Sequence, residues 1–177
     1  MSPVRNRGCS PVRDDAFRAY FERHHASLSR LAYLMTGESQ VADDLAADAL
    51  TEVWRHWDRV DAADDPVAYG HGIVMNLSRQ WVRRRGRERL LSFGSLRRGR
   101  DTDVPAVLDV RGALRRLPHR RRACVVLRYA FDLPEREVAA ILDISVGAVK
   151  SATSRGARQL AELLGDHVRT DGWEAAR

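Results

Sequence analysis

A chain of 177 residues, 44% of them apolar, can fill one ordinary domain or two small ones. Its net charge of +6 and isoelectric point near 10.1 point to a polyanionic partner, nucleic acid being the commonest. Two cysteines far apart, Cys9 and Cys124, exclude a disulfide framework and support no metal site. No run approaches the roughly 18 apolar residues of a membrane helix, and residues 1–13 lack the apolar stretch of a secretory signal. A reduced, cytoplasmic protein without membrane insertion is therefore expected.

Residues 1–15, with Pro3, Gly8 and Pro11 among polar neighbours, read as a disordered lead. From Ala16 the pattern becomes helical: Phe17, Tyr20, Phe21, His24, Leu28, Leu31 and Met35 form one apolar stripe, ended by Gly37. A second helix opens with Ser39 as its cap and runs through Trp57, with Val41, Leu45, Ala49 and Val53 on its inner side. Opposite them Asp44, Asp48 and Glu52 fall at four-residue spacing and make an acidic stripe. After an acidic loop, Asp65-Pro66 caps and starts a third helix whose inner stripe is Val67, Ile73, Val74, Leu77 and Trp81. Gly70 and Gly72 weaken that helix by up to about 1 kcal/mol each relative to alanine.

Between residues 86 and 105 the apolar periodicity lapses into glycine, serine and arginine, as a linker would. A second helical block starts near Ala106 with Val107, Val110, Leu114 and Leu117 in register. Pro118 breaks it and begins a helix carrying Ala123, Val126, Leu127 and Ala130. The expected fold is all-α, in two small helical domains over 16–85 and 106–165, with a polar tail over 166–177.

The sharpest local signal is Pro134 to Leu160. A short helix bearing Val138, Ala139 and Leu142 meets the tight turn Asp143-Ile144-Ser145, and a second helix follows with Val149 as its inward anchor. This is helix-turn-helix spacing. Asp143 is a tolerable left-handed residue, and Ser145 can cap the second helix. The exposed side of that helix offers Lys150, Ser151, Ser154, Arg155 and Arg158 to base edges and phosphates in a major groove. Arginine's fork suits such contacts, and Lys150 is the only lysine. A plain helical hairpin with a solvated face would not need cap, turn, anchor and basic face together. The run Arg115, Arg116, Arg120, Arg121 and Arg122 can add phosphate contacts or merely be solvated.

Three segments together, Asp43 to Trp54, Ala68 to Arg85 and Ser145 to Ser151, resemble an extracytoplasmic-function (ECF, group 4) sigma factor of the sigma-70 family. The phrase "VKSATSR" is most similar to its actinobacterial SigE-type branch. The resemblance covers about Phe17 to Leu164. It implies that the first block is sigma region 2, docking Asp44, Asp48, Glu52, Trp54 and Arg55 on the clamp helices of the β′ subunit of core RNA polymerase. The third helix, through Asn76, Arg79, Trp81, Arg83, Arg84 and Arg85, would read the minus-ten promoter element as strands part. The second block would be region 4, reading the minus-thirty-five element through Ser145, Lys150, Ser151, Ser154, Arg155 and Arg158. The β subunit is a further implied contact, and an anti-sigma factor is compatible with the resemblance. Departures are His71 and Gly72, where the family commonly has basic residues, Ala47 for glutamine, and Pro134 for a serine or threonine cap.

From the residues alone, Trp81 can stack on an unpaired base or continue the Val74-Leu77 core stripe. An enzyme is disfavoured: "DDLAAD" has no second metal-binding helix, the six histidines lack ligand spacing, and no phosphate loop or nucleophile motif appears. No cofactor is expected. The alternative function is a stand-alone helix-turn-helix regulator that dimerises on a palindrome.

Overall fold

Aromatic and aliphatic side chains at helical spacing build the first half. Helix α1 (Pro11–Thr36) lays Tyr20, Leu28, Leu31 and Met35 inward, each at most 6% exposed. Gly37 then takes φ +76 and donates to the Tyr33 carbonyl at 2.7 Å, the left-handed stop that glycine permits. Helix α2 (Ser39–Arg55) buries Leu45, Ala49 and Val53 against it. After the short α3 (Trp57–Asp61), the Asp65 carboxylate accepts the Val67 and Ala68 amides at 2.9 and 3.0 Å and starts α4 (Pro66–Leu91). The computed structural model describes residues 11–91 and 105–174, with side chains over 12–87 and 110–165.

In the second half, α5 (Pro105–Arg116) and α6 (His119–Val125) pack on the long α8 (Val146–Glu174). Between α6 and α7 (Glu135–Leu142) the chain widens into a π-helical turn, Val126–Ala130. Helix α8 buries Val149, Thr153 and Gly156 along one side. At Gly156 the approach of α6 is so close that a Cβ would lie 2.7 Å from a Val125 methyl and 3.2 Å from the Arg121 carbonyl. Among the described residues no strand forms, and no helix is long and apolar enough to cross a membrane.

The all-α expectation holds, while several boundaries move. Helix α1 starts at Pro11, so the disordered lead expected over 1–15 is too long. Proline suits a first helical position, and Arg13 is anchored by a bond to the Trp54 carbonyl at 3.1 Å and by Asp58 at 3.8 Å. Ser39 is the first helical residue rather than the cap; Glu38 holds the extended cap position, and no side chain caps the helix. Helix α2 stops at Arg55, since Trp57 swings inward to meet Phe17 and Tyr20 at ring distances of 5.4 Å.

Helix α4 continues to Leu91, through the first residues of the expected 86–105 linker, because one glycine, Gly86, costs too little to end a long helix. The rest of that linker lies almost wholly outside the described residues, as do residues 1–10 of the lead. Helix α8 likewise runs through Glu174 into the stretch expected as a polar tail, no proline or left-handed residue having intervened to stop it. Phe21 and Val110, expected inside, are 41% and 42% exposed, since each sits at the edge of a stripe whose centre is taken by its neighbours.

Candidate functional site

Three charged surfaces emerge. On α2, Asp44 and Asp48 are exposed, Glu52 is half-buried, and Arg55 closes the row by pairing with Glu52 at 2.5 Å. His56 adds a looser contact to the same carboxylate at 3.7 Å. At about 100° per residue these four lie on one face, away from the buried Leu45-Ala49-Val53 side. Trp54 does not join them. Its ring packs on Phe17 at 4.8 Å with the Arg13 guanidinium 4.6 Å above it, so it belongs to the seam between α1 and α2.

On α4 the six expected residues divide between two faces. Asn76 and Arg79 are exposed and joined at 2.9 Å, and with His119 and the Ile141–Ile144 corner they line a cleft of about 490 Å³. Arg83 lies one turn further along the same side; its charge and that of Arg79 act on His119. Trp81 and Arg85 face the other way. The Arg85 guanidinium sits 5.2 Å over the Trp81 ring and is held by Glu38 at 2.9 Å. Trp81 stands outside the core cluster, so its flat face is closed by a cation rather than by packing. Arg84 is exposed.

The helix-turn-helix is built as its sequence predicts. Asp143 adopts φ 52, ψ 55, the left-handed corner, and the Ser145 hydroxyl accepts the Ala148 amide at 3.2 Å to cap α8. Val149 is fully buried, and Lys150, Ser154, Arg155 and Arg158 are exposed, with Ser151 half-buried. Two internal contacts organise this surface: Lys150 reaches Glu135 on α7 at 3.6 Å, and Arg155 donates to the Ser151 hydroxyl at 2.5 Å.

Two further residues join this surface, Arg121 from the basic run already offered for phosphate contacts and Gln159, which that run does not include. Arg121 donates to Gln159 at 3.0 Å, and with Arg155 and Arg158 these line a basic cleft of about 440 Å³. Gln159 stands four residues after Arg155, so helical spacing alone could have found it. The basic run around Arg121 is otherwise dispersed: Arg116 and Arg120 are exposed, while Arg122 is buried at 5% exposure. Arg122 donates to the Met35 carbonyl, and to the Arg115 and Leu117 carbonyls at 2.8 and 3.2 Å. Burial, and secondarily Arg115, bring its guanidinium down to about 10.

In the acidic stretch over 58–65, Asp58 faces Arg13 at 3.8 Å and Asp65 caps α4, while Asp61 and Asp64 are exposed. Among the described residues no cluster of histidine, cysteine and acidic side chains could hold a metal.

Two family models match, "Sigma-70 region 2" over residues 20–88 and "Sigma-70, region 4" over residues 108–160. The ECF RNA polymerase sigma factor SigM of Mycobacterium tuberculosis is 34% identical over 154 residues, 85% of this chain and 78% of that protein. SigE of Mycolicibacterium smegmatis is 32% identical over 161 residues, 82% of this chain and 60% of its own length. Among solved structures, the sigma factor RpoE of Bartonella quintana, in complex with the anti-sigma factor NepR, superimposes with a TM-score of 0.71. It is 25% identical, over 85% of this chain and 97% of that one.

Proposed function

The chain belongs to the sigma-70 family as an extracytoplasmic-function RNA polymerase sigma factor, and we propose that its charged helical faces divide the work of initiation between them. The α2 face of Asp44, Asp48, Glu52 and Arg55 docks on the β′ clamp helices of core polymerase. Helix α4 engages the minus-ten element, with Asn76, Arg79 and Arg83 on one side and Trp81, Arg84 and Arg85 toward the other. The helix-turn-helix reads the minus-thirty-five element as duplex through Ser151, Ser154, Arg155 and Arg158, with Lys150, Arg121 and the Ser145 end of α8 against phosphates.

The observation that carries this reading is the separation of charge. An anionic row with Asp44 and Asp48 exposed lies on α2, and a cationic one lies beyond a left-handed turn on α8. Trp54 supports the docking face from behind and is not itself a contact. Trp81 can receive an unpaired base only if Arg85 leaves its ring, which makes the Glu38–Arg85 pair a natural release point. The chain works in the cytoplasm beside polymerase and performs no reaction of its own. An anti-sigma factor is a fitting partner, since the RpoE neighbour is seen with one, NepR, bound. A dimeric stand-alone regulator would leave the α2 face without a purpose.

The test is reconstitution. Core polymerase mixed with this chain is expected to form a stable complex in gel filtration and to gain promoter-specific initiation. Charge reversal of Asp44 and Asp48 lowers core affinity tenfold or more. Arg155→Ala leaves core binding intact but removes discrimination between a true and a scrambled upstream element, a change of about 1–3 kcal/mol. A chain that ignores polymerase and binds symmetric operators as a dimer overturns the assignment.

A further inference from the structure

The turn between α1 and α2 fixes one carboxylate beside α4. Gly37 turns the chain at φ +76, the Glu38 amide donates to the Thr36 hydroxyl at 3.4 Å, and the Glu38 carbonyl accepts the Ala42 amide at 2.9 Å. Main-chain bonds therefore hold the residue. Its side chain takes no part in them, since Glu38 stands at the cap position of α2 without capping it. The carboxylate instead reaches across to α4, where Oε1 accepts Arg85 Nη2 at 2.9 Å.

Arg85 is satisfied there only in part. One nitrogen of its fork meets the carboxylate, while Nε, closed off from solvent, bonds nothing. A guanidinium presents paired donors that suit two oxygens of a phosphate at once. Below it lies the Trp81 ring, half-buried and outside the core cluster, with its centroid 5.2 Å from the guanidinium carbon. Aliphatic side chains do not seal this tryptophan. A charge four residues along its own helix covers it instead.

The Glu38 and Arg85 side chains are 26% and 34% exposed, so water screens their ion pair, which is worth up to about fivefold in an equilibrium constant. The cation over the ring adds a similar factor. A base stacked on an aromatic ring is worth roughly five- to a hundredfold, before its phosphate is counted. Without nucleic acid the ring stays covered, and a single strand is strong enough to displace the cover. Duplex DNA supplies the phosphate but no free base face. Exposed Arg83, Arg84 and Arg87 at this end of α4 draw a backbone toward it.

We propose that Glu38 is a positioning residue that holds Arg85 as a lid over Trp81, and that a single DNA strand exchanges for the lid. The strand's phosphate replaces the carboxylate at the guanidinium, and its unpaired base replaces the guanidinium on the ring. This rests on the assignment of α4 to the minus-ten element, and it makes that face selective for strands already parted. The whole device lies between the α1–α2 turn and α4.

The test uses the full-length chain, Glu38→Ala, Trp81→Leu and the double variant. The probes are a short single-stranded oligodeoxynucleotide, an abasic strand of the same length and the corresponding duplex. Alanine at residue 38 keeps the main-chain bonds and removes no capping contact, so the fold is retained. Acrylamide quenching of the Trp81 emission, taken as the difference from Trp81→Leu, is expected to rise in Glu38→Ala. That variant is expected to bind the intact strand about three- to fivefold more tightly than wild type. For the abasic strand and the duplex the gain should stay below about twofold, since only the lost charge acts on them. In the Trp81→Leu background the same substitution should give the smaller gain with every probe. An equal gain on all three probes makes Glu38 a mere repelling charge and overturns the lid. A wild type that prefers the intact strand to the abasic one, beside a Glu38→Ala chain unchanged in quenching and affinity, also overturns the lid but leaves the assignment of Trp81 standing. Equal affinity for intact and abasic strands in every form of the chain refutes that assignment instead.

Discussion

Replacing Arg122 by methionine tests how firmly the two halves and the α5–α6 corner are held. The guanidinium is 5% exposed and bonds three main-chain carbonyls, those of Met35, Arg115 and Leu117. At neutral pH it remains charged, because burial lowers it only to about 10. Methionine fills a similar volume but leaves the three carbonyls without this donor. Each stranded buried acceptor costs about 1 kcal/mol or more, and the sum is offset by no longer burying a cation. A net loss of about 2–3 kcal/mol follows. For a chain of this size that is a fall in Tm of roughly 5–10 °C. Arg122→Lys should recover less than half, since an ammonium cannot span three carbonyls as the planar fork does. Thermal and urea denaturation followed by circular dichroism measure both variants. A loss under about 0.5 kcal/mol for Arg122→Met would mean that water serves those carbonyls equally well, and the bridging role would be refuted.

Asp65→Ala removes the acceptor of two amides at the start of α4 and should cost about 0.5–2 kcal/mol in denaturation midpoint analysis, with the first turn of α4 exchanging its amides faster. Acidification is expected to weaken the junction through His119. Burial first, then Arg122, Arg79 and Arg83, lower it from 6.5 to about 4. With the folded value depressed, the unfolded chain binds the extra proton first, so stability is complete above about pH 6.5 and is lost as pH falls toward 4. Between about pH 7.5 and 5 this amounts to about 1–2 kcal/mol. His119→Gln should flatten that part of the profile, and an unchanged slope would refute the attribution.

Local chemistry made much of the molecule legible. Gly37, Asp65, Asp143 and Ser145 each do what their residue type dictates at a turn or cap, because such roles depend on a few neighbouring atoms. The acidic row on α2 and the basic row on α8 follow from helical spacing alone. What the sequence withheld was decided by distant partners. Trp54 has the spacing of a surface residue and is claimed by Phe17 and Arg13. Arg122 reads as one more member of a basic run and is in fact buried, because carbonyls of α1, of α5 and of the turn after α5 converge on it. Trp81 fits a core stripe by period, yet Arg85 covers it because Glu38 lies within reach. Helix ends behaved likewise: α1, α4 and α8 all outrun the compositional change that seemed to bound them.

The near-contact of α6 with α8 at Gly156 has a practical corollary for engineering. With backbone and methyl pressed against that glycine, and Val149 and Thr153 sealed beneath it, the recognition helix has a single azimuth. Its outward residues can then be exchanged as a cassette. Grafting positions 150, 151, 154, 155 and 158 from a relative, while leaving 149, 153 and 156 untouched, should transplant that relative's upstream preference without re-aiming the helix.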